Sequence, residues 1–141
     1  MISLPPSARA LIESARLAHI ISINPDGSQH VSCVWLGVEG DRVYYASLTE
    51  NQKIRNFRRD NRVAISIESP TELAPGVQEY LVLYGMAEIS EGGGADALQR
   101  LAHRYIGPDV VFPDMADPPP GFVVWIAIDR IRGAGPWMEG T

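Results

Sequence analysis

The stretch Tyr44-Tyr45-Ala46-Ser47-Leu48-Thr49-Glu50-Asn51-Gln52-Lys53-Ile54-Arg55-Asn56-Phe57-Arg58-Arg59 changes its period half-way. Its opening residues, with Arg42 and Val43 before them, are rich in β-formers and read as a strand over residues 42–47. The second half reads as a helix reaching about Asp60. Thr49-Glu50-Asn51-Gln52 matches the capping box, in which a hydroxyl and a side chain three residues later satisfy free backbone donors at a helix start. Ile54 and Phe57, three apart, face a core, and Lys53, Arg55, Arg58 and Arg59 spread over the remaining surface. A strand entering a helix this way sets unpaired N–H groups and the positive end of the helix dipole beside Lys53, a natural place for a phosphate. Ser47 and Asn51 offer neutral hydrogen bonds there. On spacing alone a solvated basic helix face is the slightly better account.

Working outward, the residues before this junction read as one helix and two strands. Residues 7–17 carry Ala8, Leu11, Ile12 and Ala15 at helical spacing behind Pro5-Pro6. Residues 18–23 form a short apolar strand ended by Asn24-Pro25-Asp26-Gly27, which suits a tight reversal, and residues 29–38 return as a second strand. Glu39-Gly40-Asp41 then turns the chain into residues 42–47, so the three strands are expected to form a β-meander. Beyond the junction, residues 62–68 alternate Val63, Ile65 and Ile67 as a strand, and residues 69–76 read as a proline-containing loop. Residues 79–90 form a long strand interrupted by Gly85, a mark of a bulge. A helix over residues 95–106 and a final strand over residues 121–131 complete the order. Between them lie fourteen irregular residues, 107–120, holding Pro108, Pro113 and Pro118-Pro119-Pro120; loops of that length are often functional or buried at an interface. The fold class is mainly β with edge helices (α+β), in which antiparallel strands remove their exposed edges by closing into a barrel.

The chain has 141 residues, enough for one domain spanning 1–141 with a full core of its own. No apolar run approaches the ~20 residues that span a bilayer, and no basic-then-apolar leader opens the sequence, so the expected location is the cytoplasm. A formal charge of −5 opposes general attraction to nucleic acids or anionic membranes, and any anion must be caught locally. Five of the twelve basic residues, Lys53, Arg55, Arg58, Arg59 and Arg62, fall within ten positions, and Lys53 is the only lysine. His19, His30 and His103 lack metal-ligand spacing and the single cysteine, Cys33, cannot build a sulfur site, so no metal is expected. In its apolar strand Cys33 reads as a small buried thiol rather than a nucleophile. No nucleophile elbow, Walker loop or dinucleotide-binding glycine fingerprint is present. Tyr44, Tyr45, Tyr80, Tyr84 and Tyr105 are candidate proton donors with none preferred, and the catalytic residue is left unassigned.

Tyr44-Tyr45-Ala46-Ser47, then Lys53-Ile54-Arg55-Asn56-Phe57-Arg58-Arg59-Asp60 and Arg62-Val63-Ala64-Ile65, resemble the pyridoxamine 5′-phosphate oxidase-like superfamily. Asp26-Gly27-Ser28-Gln29-His30-Val31 and Val34-Trp35 resemble its first hairpin, so the similarity covers most of the chain. The resemblance implies a split β-barrel of the FMN-binding-protein-like, antiparallel Greek-key type, assembled as a homodimer with each cofactor in a groove at the dimer interface. It implies Lys53 on the cofactor phosphate, with Ser47, Asn51, Arg55 and Asn56 as helpers. Ser32, Cys33, Val34 and Trp35 would lie along the strand beneath the ring system, bordered by Ala46 and Leu48. In related proteins the tail reaches the partner's groove, which makes Trp137 a candidate for covering the ring, although a core or dimer-contact tryptophan is at least as good a reading.

Within the superfamily Arg55-Asn56-Phe57-Arg58-Arg59-Asp60-Asn61-Arg62 is most similar to the Arg-Asn-Leu-Arg-Arg-Asp-Pro-Arg motif of short proteins that use the deazaflavin coenzyme F-420, departing from it at Phe57 and Asn61. That coenzyme carries an oligoglutamate tail, which Arg55, Arg58 and Arg59 could meet if they are not paired with carboxylates such as Glu50 or Asp60. The C-terminal arginine-and-histidine signature that grips pyridoxamine phosphate is missing. The expected function is therefore an F-420-dependent oxidoreductase passing hydride to a small conjugated organic acceptor beside the 107–120 loop. The alternatives are an FMN-dependent oxidoreductase, or a non-catalytic flavin- or haem-binding protein on the same barrel.

Overall fold

Alternating burial along two of the strands shows why this chain builds a sheet with one face on a core. In β1 (Ala18–Ile23) Ala18, Ile20 and Ser22 are buried, and in β5 (Arg62–Ala74) Val63, Ile65, Ile67 and Ser69 are, the period of a pleated strand. The computed structural model describes residues 1–139. Seven strands form one antiparallel sheet: β1, β2 (Gln29–Val34), β3 (Gly37–Glu39), β4 (Arg42–Ser47), β5, β6 (Val77–Glu91) and β7 (Phe122–Ala134). Their spatial order is β2-β1-β5-β6-β7-β4-β3. The two outermost strands, β2 and β3, are consecutive in sequence and separated only by Trp35 and Leu36. The sheet must therefore curl until its edges meet, and it stays open where they do, so the barrel is split rather than closed.

This split corrects two expectations. Residues 29–38 are not one strand, and β1, β2 and β4 are not a meander: β2 pairs with β1 alone, and β4 lies between β3 and β7. The break is made at Leu36, whose N–H donates to the Tyr105 hydroxyl at 3.0 Å instead of to a strand, while that hydroxyl donates to the Arg16 carbonyl at 2.9 Å. Gly37 then passes so close to the Tyr44 ring that a Cβ would lie 2.5 Å from Cζ.

A further boundary differs. Residues 69–74 continue β5 instead of looping, because two register shifts between Glu68 and Ala74 absorb the mismatch around Pro70 and the Gln78 amide bridges to the Thr71 carbonyl at 3.0 Å. The expected irregularity at Gly85 is present: the β6–β7 register jumps from Tyr84↔Arg130 to Gly85↔Ile128, leaving Asp129 as the extra residue on β7. A Cβ on Gly85 would sit 2.1 Å from the Ala127 carbonyl oxygen.

Three helices dress the barrel. Ala8, Leu11 and Ile12 of α1 (Pro6–Glu13) and Ile54 and Phe57 of α2 (Gln52–Arg59) enter the main core with Ile20, Tyr45, Ile65, Leu83 and Ile126. Through Ala97 and Leu101, α3 (Gly94–Tyr105) packs on Tyr44 and Val123 as a smaller cluster. At its start Gly94 lies so near β4 that a Cβ would meet the Ser47 carbonyl oxygen at 2.8 Å. No helix among the described residues is long and apolar enough to cross a membrane.

Candidate functional site

At the junction of β4 and α2 the hydroxyl of Ser47 donates to the Thr49 carbonyl at 2.6 Å, which folds Leu48 and Thr49 into a tight connection. The helix cap is consequently Asn51 and not Thr49. The Asn51 side-chain oxygen accepts from the Ile54 N–H at 3.2 Å, and its amide donates to Ser47 Oγ at 3.4 Å. This tie aims the first turn of α2, with Lys53 on it, across the end of β4.

Lys53 overlooks a groove of about 270 Å³ lined by Cys33, Val34 and Trp35 of β2 and its continuation, Tyr45, Ala46 and Ser47 of β4, Asn51 and Lys53, together with Leu17, Leu98 and Phe112. Most of the lining is apolar; the polar groups gather where β4 meets α2. Trp35 is clasped between Tyr105, stacked at 5.4 Å between centroids, and Phe112, tilted at 5.1 Å. Phe112 is itself secured, since its N–H donates to Gln99 Oε1 at 3.0 Å and the Gln99 amide donates to the Val110 carbonyl at 2.8 Å. The irregular 107–120 segment is thus fastened to α3 as one wall of the groove.

Lys53 and Tyr45 each carry a polar group with no hydrogen-bond partner among the described residues. Lys53, half-buried, makes no hydrogen bond or ion pair among the described residues, and its ammonium rests 5.7 Å from the centroid of the Tyr45 ring. Burial lowers its pKa from the usual lysine value, as expected of a cation short of water and of counter-charge. Tyr45 is 1% exposed and its hydroxyl has no partner. Burial pushes the Tyr45 pKa upward, so the group stays an O–H donor at neutral pH.

Of the residues picked out in the sequence, Lys53, Ser47, Asn51, Ala46, Cys33, Val34 and Trp35 come together here. Cys33 is exposed at the groove and not the buried thiol expected. Leu48 and Ser32 do not line it; Ser32 faces the barrel interior, with its hydroxyl unpartnered. Asn56 is corrected to a structural role. It is fully buried, its amide donates to Ser22 Oγ and Asn24 Oδ1, both at 3.0 Å, and its oxygen accepts from Gln52 at 2.8 Å, so no atom is left for a phosphate. Arg58 is taken by Glu50 at 2.6 Å and by Glu91 at 3.5 Å, and Arg59 donates to the Ile23 carbonyl. Arg55 leans on Gln52 at 3.1 Å and has no carboxylate partner among the described residues. The structure places Trp137 in the main core, within a 3₁₀ turn at Pro136–Met138, away from the groove of its own chain.

Leu17, Leu98, Phe112 and Tyr45 are lining residues that the sequence did not single out as binding groups. For Tyr45 the signal was there: it alternates with Val43 as an inward-facing β4 position, yet carries a hydroxyl. The other three come from distant segments.

An ammonium unpaired among the described residues, with neutral amide and hydroxyl groups beside it at one end of an apolar groove, fits a planar ligand that carries an anionic group. The family model for pyridoxamine 5′-phosphate oxidase matches residues 4–134. This chain belongs to that family. Members bind flavin-type cofactors, and the open seven-stranded sheet is their split-barrel fold. A search of the curated proteins finds no match. Among solved structures the chain is similar to an F-420 reductase, at 24% identity over 91% of this chain and 98% of that one with a TM-score of 0.72. It is also similar to a conserved hypothetical protein of Mycobacterium tuberculosis, at 23% identity over 95% and 86% with a TM-score of 0.75. HupZ of Group A Streptococcus matches at 20% identity over 94% of each chain, with a TM-score of 0.66. At these identities the likenesses speak for the fold alone.

Proposed function

We propose that the protein is an oxidoreductase that binds the deazaflavin coenzyme F-420 in the Lys53 groove of a homodimer and passes hydride to a small conjugated organic acceptor. The observation that carries this reading is Lys53: the only lysine of the chain is half-buried and, among the described residues, without a counter-charge at the polar end of an apolar groove. Lys53 would bind the cofactor phosphate, Ser47 and Asn51 would flank it, and Val34 and Trp35 would support the ring system. The cofactor, when bound, supplies the hydride chemistry. The chain's own residues would bind and orient it and exclude water: Trp35 packs against Tyr105 and Phe112, and Phe112 lines the groove.

A second copy of the chain is part of the proposal because the groove is incomplete. Its volume of about 270 Å³ lies just under the range of ~300–1,000 Å³ usual for small-molecule sites. Leu17, just before β1, and Val31, on β2, stand exposed at 52% and 59%, where a partner would enclose the ligand.

F-420 is preferred over FMN because Arg55, one turn from the cap, has no carboxylate partner among the described residues and can meet a longer anionic tail. FMN is the second reading, favoured by one observation: Arg58, the other arginine expected on that tail, is already neutralised by Glu50 and Glu91. Titration of the purified protein with F-420, FMN and haem, followed by fluorescence or absorbance, separates these cofactors. Saturable F-420 binding, followed by acceptor-dependent oxidation of the reduced form, is the expected result. Tight FMN binding without F-420 binding would transfer the assignment to FMN, and haem binding alone would refute both.

A further inference from the structure

Residues 107–120 have little backbone with which to anchor themselves. Five of the fourteen are proline, and each proline removes an N–H donor. Among the described residues, two hydrogen bonds join residues 108–119 to another element, and both end on one side chain of α3. The Phe112 N–H donates to Gln99 Oε1 at 3.0 Å, and the Gln99 amide donates to the Val110 carbonyl at 2.8 Å. The same amide nitrogen lies 3.0 Å from His103 Nε2, so its second hydrogen is also engaged.

The two bonds flank Val111, as those of a neighbouring strand would, with a side-chain amide in place of the strand's peptide group. Val111 is left outside, 67% exposed, while Phe112 turns inward to meet Trp35 at 5.1 Å and line the groove. Leu98, next to Gln99 on α3, lines the same groove. None of residues 107–120 is buried, so the segment adds little to the core. What the Gln99 tether controls is therefore the position of Phe112, not the stability of the barrel.

We infer that Gln99 is a positioning residue for the ring system of the cofactor: its amide holds Phe112 against Trp35 and so sets the aromatic wall on which that ring packs. This rests on the cofactor reading above. Gln99 does not itself line the groove, and Lys53 belongs to a different element, so the two act on different parts of the ligand. An aromatic wall already held in place spares the ligand the entropy of ordering it on binding.

The test uses Gln99→Met, which keeps the length of the side chain and a good helix former but has no amide, Phe112→Ala, and the double variant. FMN and coenzyme F-420 are titrated against each, beside the same rings without phosphate, riboflavin and the deazaflavin lacking phosphate and glutamates. Near-ultraviolet circular dichroism and thermal unfolding are recorded without ligand. The inference expects Gln99→Met to weaken a phosphorylated ligand and its phosphate-free ring by the same factor, about three- to ten-fold. It also expects an altered aromatic dichroism, a melting temperature near that of wild type, and no further loss when Gln99→Met is added to Phe112→Ala. Wild-type affinity in Gln99→Met overturns the inference and leaves the cofactor reading in place. Losses that add to those of Phe112→Ala also overturn it, since Gln99 would then act on the fold and not through Phe112. Wild-type protein that binds none of these ligands overturns the cofactor reading and this inference together.

Discussion

Replacing Lys53 by methionine keeps most of the stem that lies along the groove and removes the charge. In the ligand-free protein the loss is small, because Lys53 has no ion pair to give up and only its contact with the Tyr45 ring at 5.7 Å is lost. Such a contact contributes roughly 0.5–1 kcal/mol at a partly exposed site, and relief of the ammonium's burial offsets part of it. For a chain of this length that corresponds to a change in melting temperature of about 3–4 °C at most. In the bound protein the ammonium is the available counter-charge for a phosphate, and a charge-assisted hydrogen bond is worth ~1.5–3 kcal/mol. At about 1.4 kcal/mol per decade, the variant should bind F-420 or FMN from ten-fold to more than a hundred-fold more weakly. The wild-type affinity should also weaken as salt is raised, and Lys53→Met should flatten that dependence. Fluorescence titration at two ionic strengths, paired with a melting curve, reads both. A folded variant with wild-type affinity and wild-type salt dependence would refute the phosphate assignment.

Asn56→Ala should destabilise the protein by about 2–4 kcal/mol in denaturant unfolding, because it removes three hydrogen bonds and strands the buried Ser22 hydroxyl. Tyr105→Phe should cost about 1–3 kcal/mol by orphaning the Leu36 N–H and the Arg16 carbonyl, and should loosen the junction between β2 and β3 as read by amide hydrogen exchange. Asp60 is held at about 2 first by the side-chain hydrogen bond from Arg62 and then by the Arg62 N–H. Its depressed value contributes stability above the ordinary carboxylate range that is lost as pH falls through about 2, and in Arg62→Ala an NMR titration should find the carboxyl raised part of the way toward its usual range, the backbone N–H of residue 62 and the charge of Arg59 remaining. Lys53 runs the other way. The unfolded chain holds the proton more tightly, so stability from this group rises with pH toward 10.5, and a bound anionic ligand should reverse that slope in melting curves between pH 8 and pH 10.

What local pattern controls was legible in the sequence. The change of period at Ser47 located the β4–α2 junction, and Ile54 and Phe57 do face the core. Where the outcome depended on a distant residue, the sequence was mute. The break at Leu36 is imposed by Tyr105, sixty-nine positions away, and nothing in residues 29–38 announces it. The cap was misplaced by two residues because Thr49 and Asn51 are both good capping types, and the Ser47 hydroxyl decided between them. Helical spacing could say on which turn Arg58 lies, but not that Glu91 of another element waits beside it. Leu17, Leu98 and Phe112 reach the groove only through the tertiary fold.

The arginines and the single lysine divide the work of this acidic chain. Arg9 and Arg104 pair with Glu13, Arg58 with Glu50 and Arg62 with Asp60, while Arg42 and Arg130 lie over Trp125 and Tyr84. Planar guanidinium suits these uses, since it forks to carboxylates and stacks on rings. Their charge is largely spent where it stands, and with a formal charge of −5 the molecule has little long-range pull on an anion. Lys53 escapes both constraints. It has no counter-charge among the described residues, it is half-buried, and its ammonium is a compact charge that fits above one ring. An anion entering the groove meets a locally strong field that the surface does not advertise, which favours a ligand able to bring an apolar ring into contact with Val34 and Trp35 at the same time. If the groove holds the proposed cofactor, a phosphorylated ring should bind more tightly than free phosphate, because the ring adds contact with Val34 and Trp35 to the charge on Lys53.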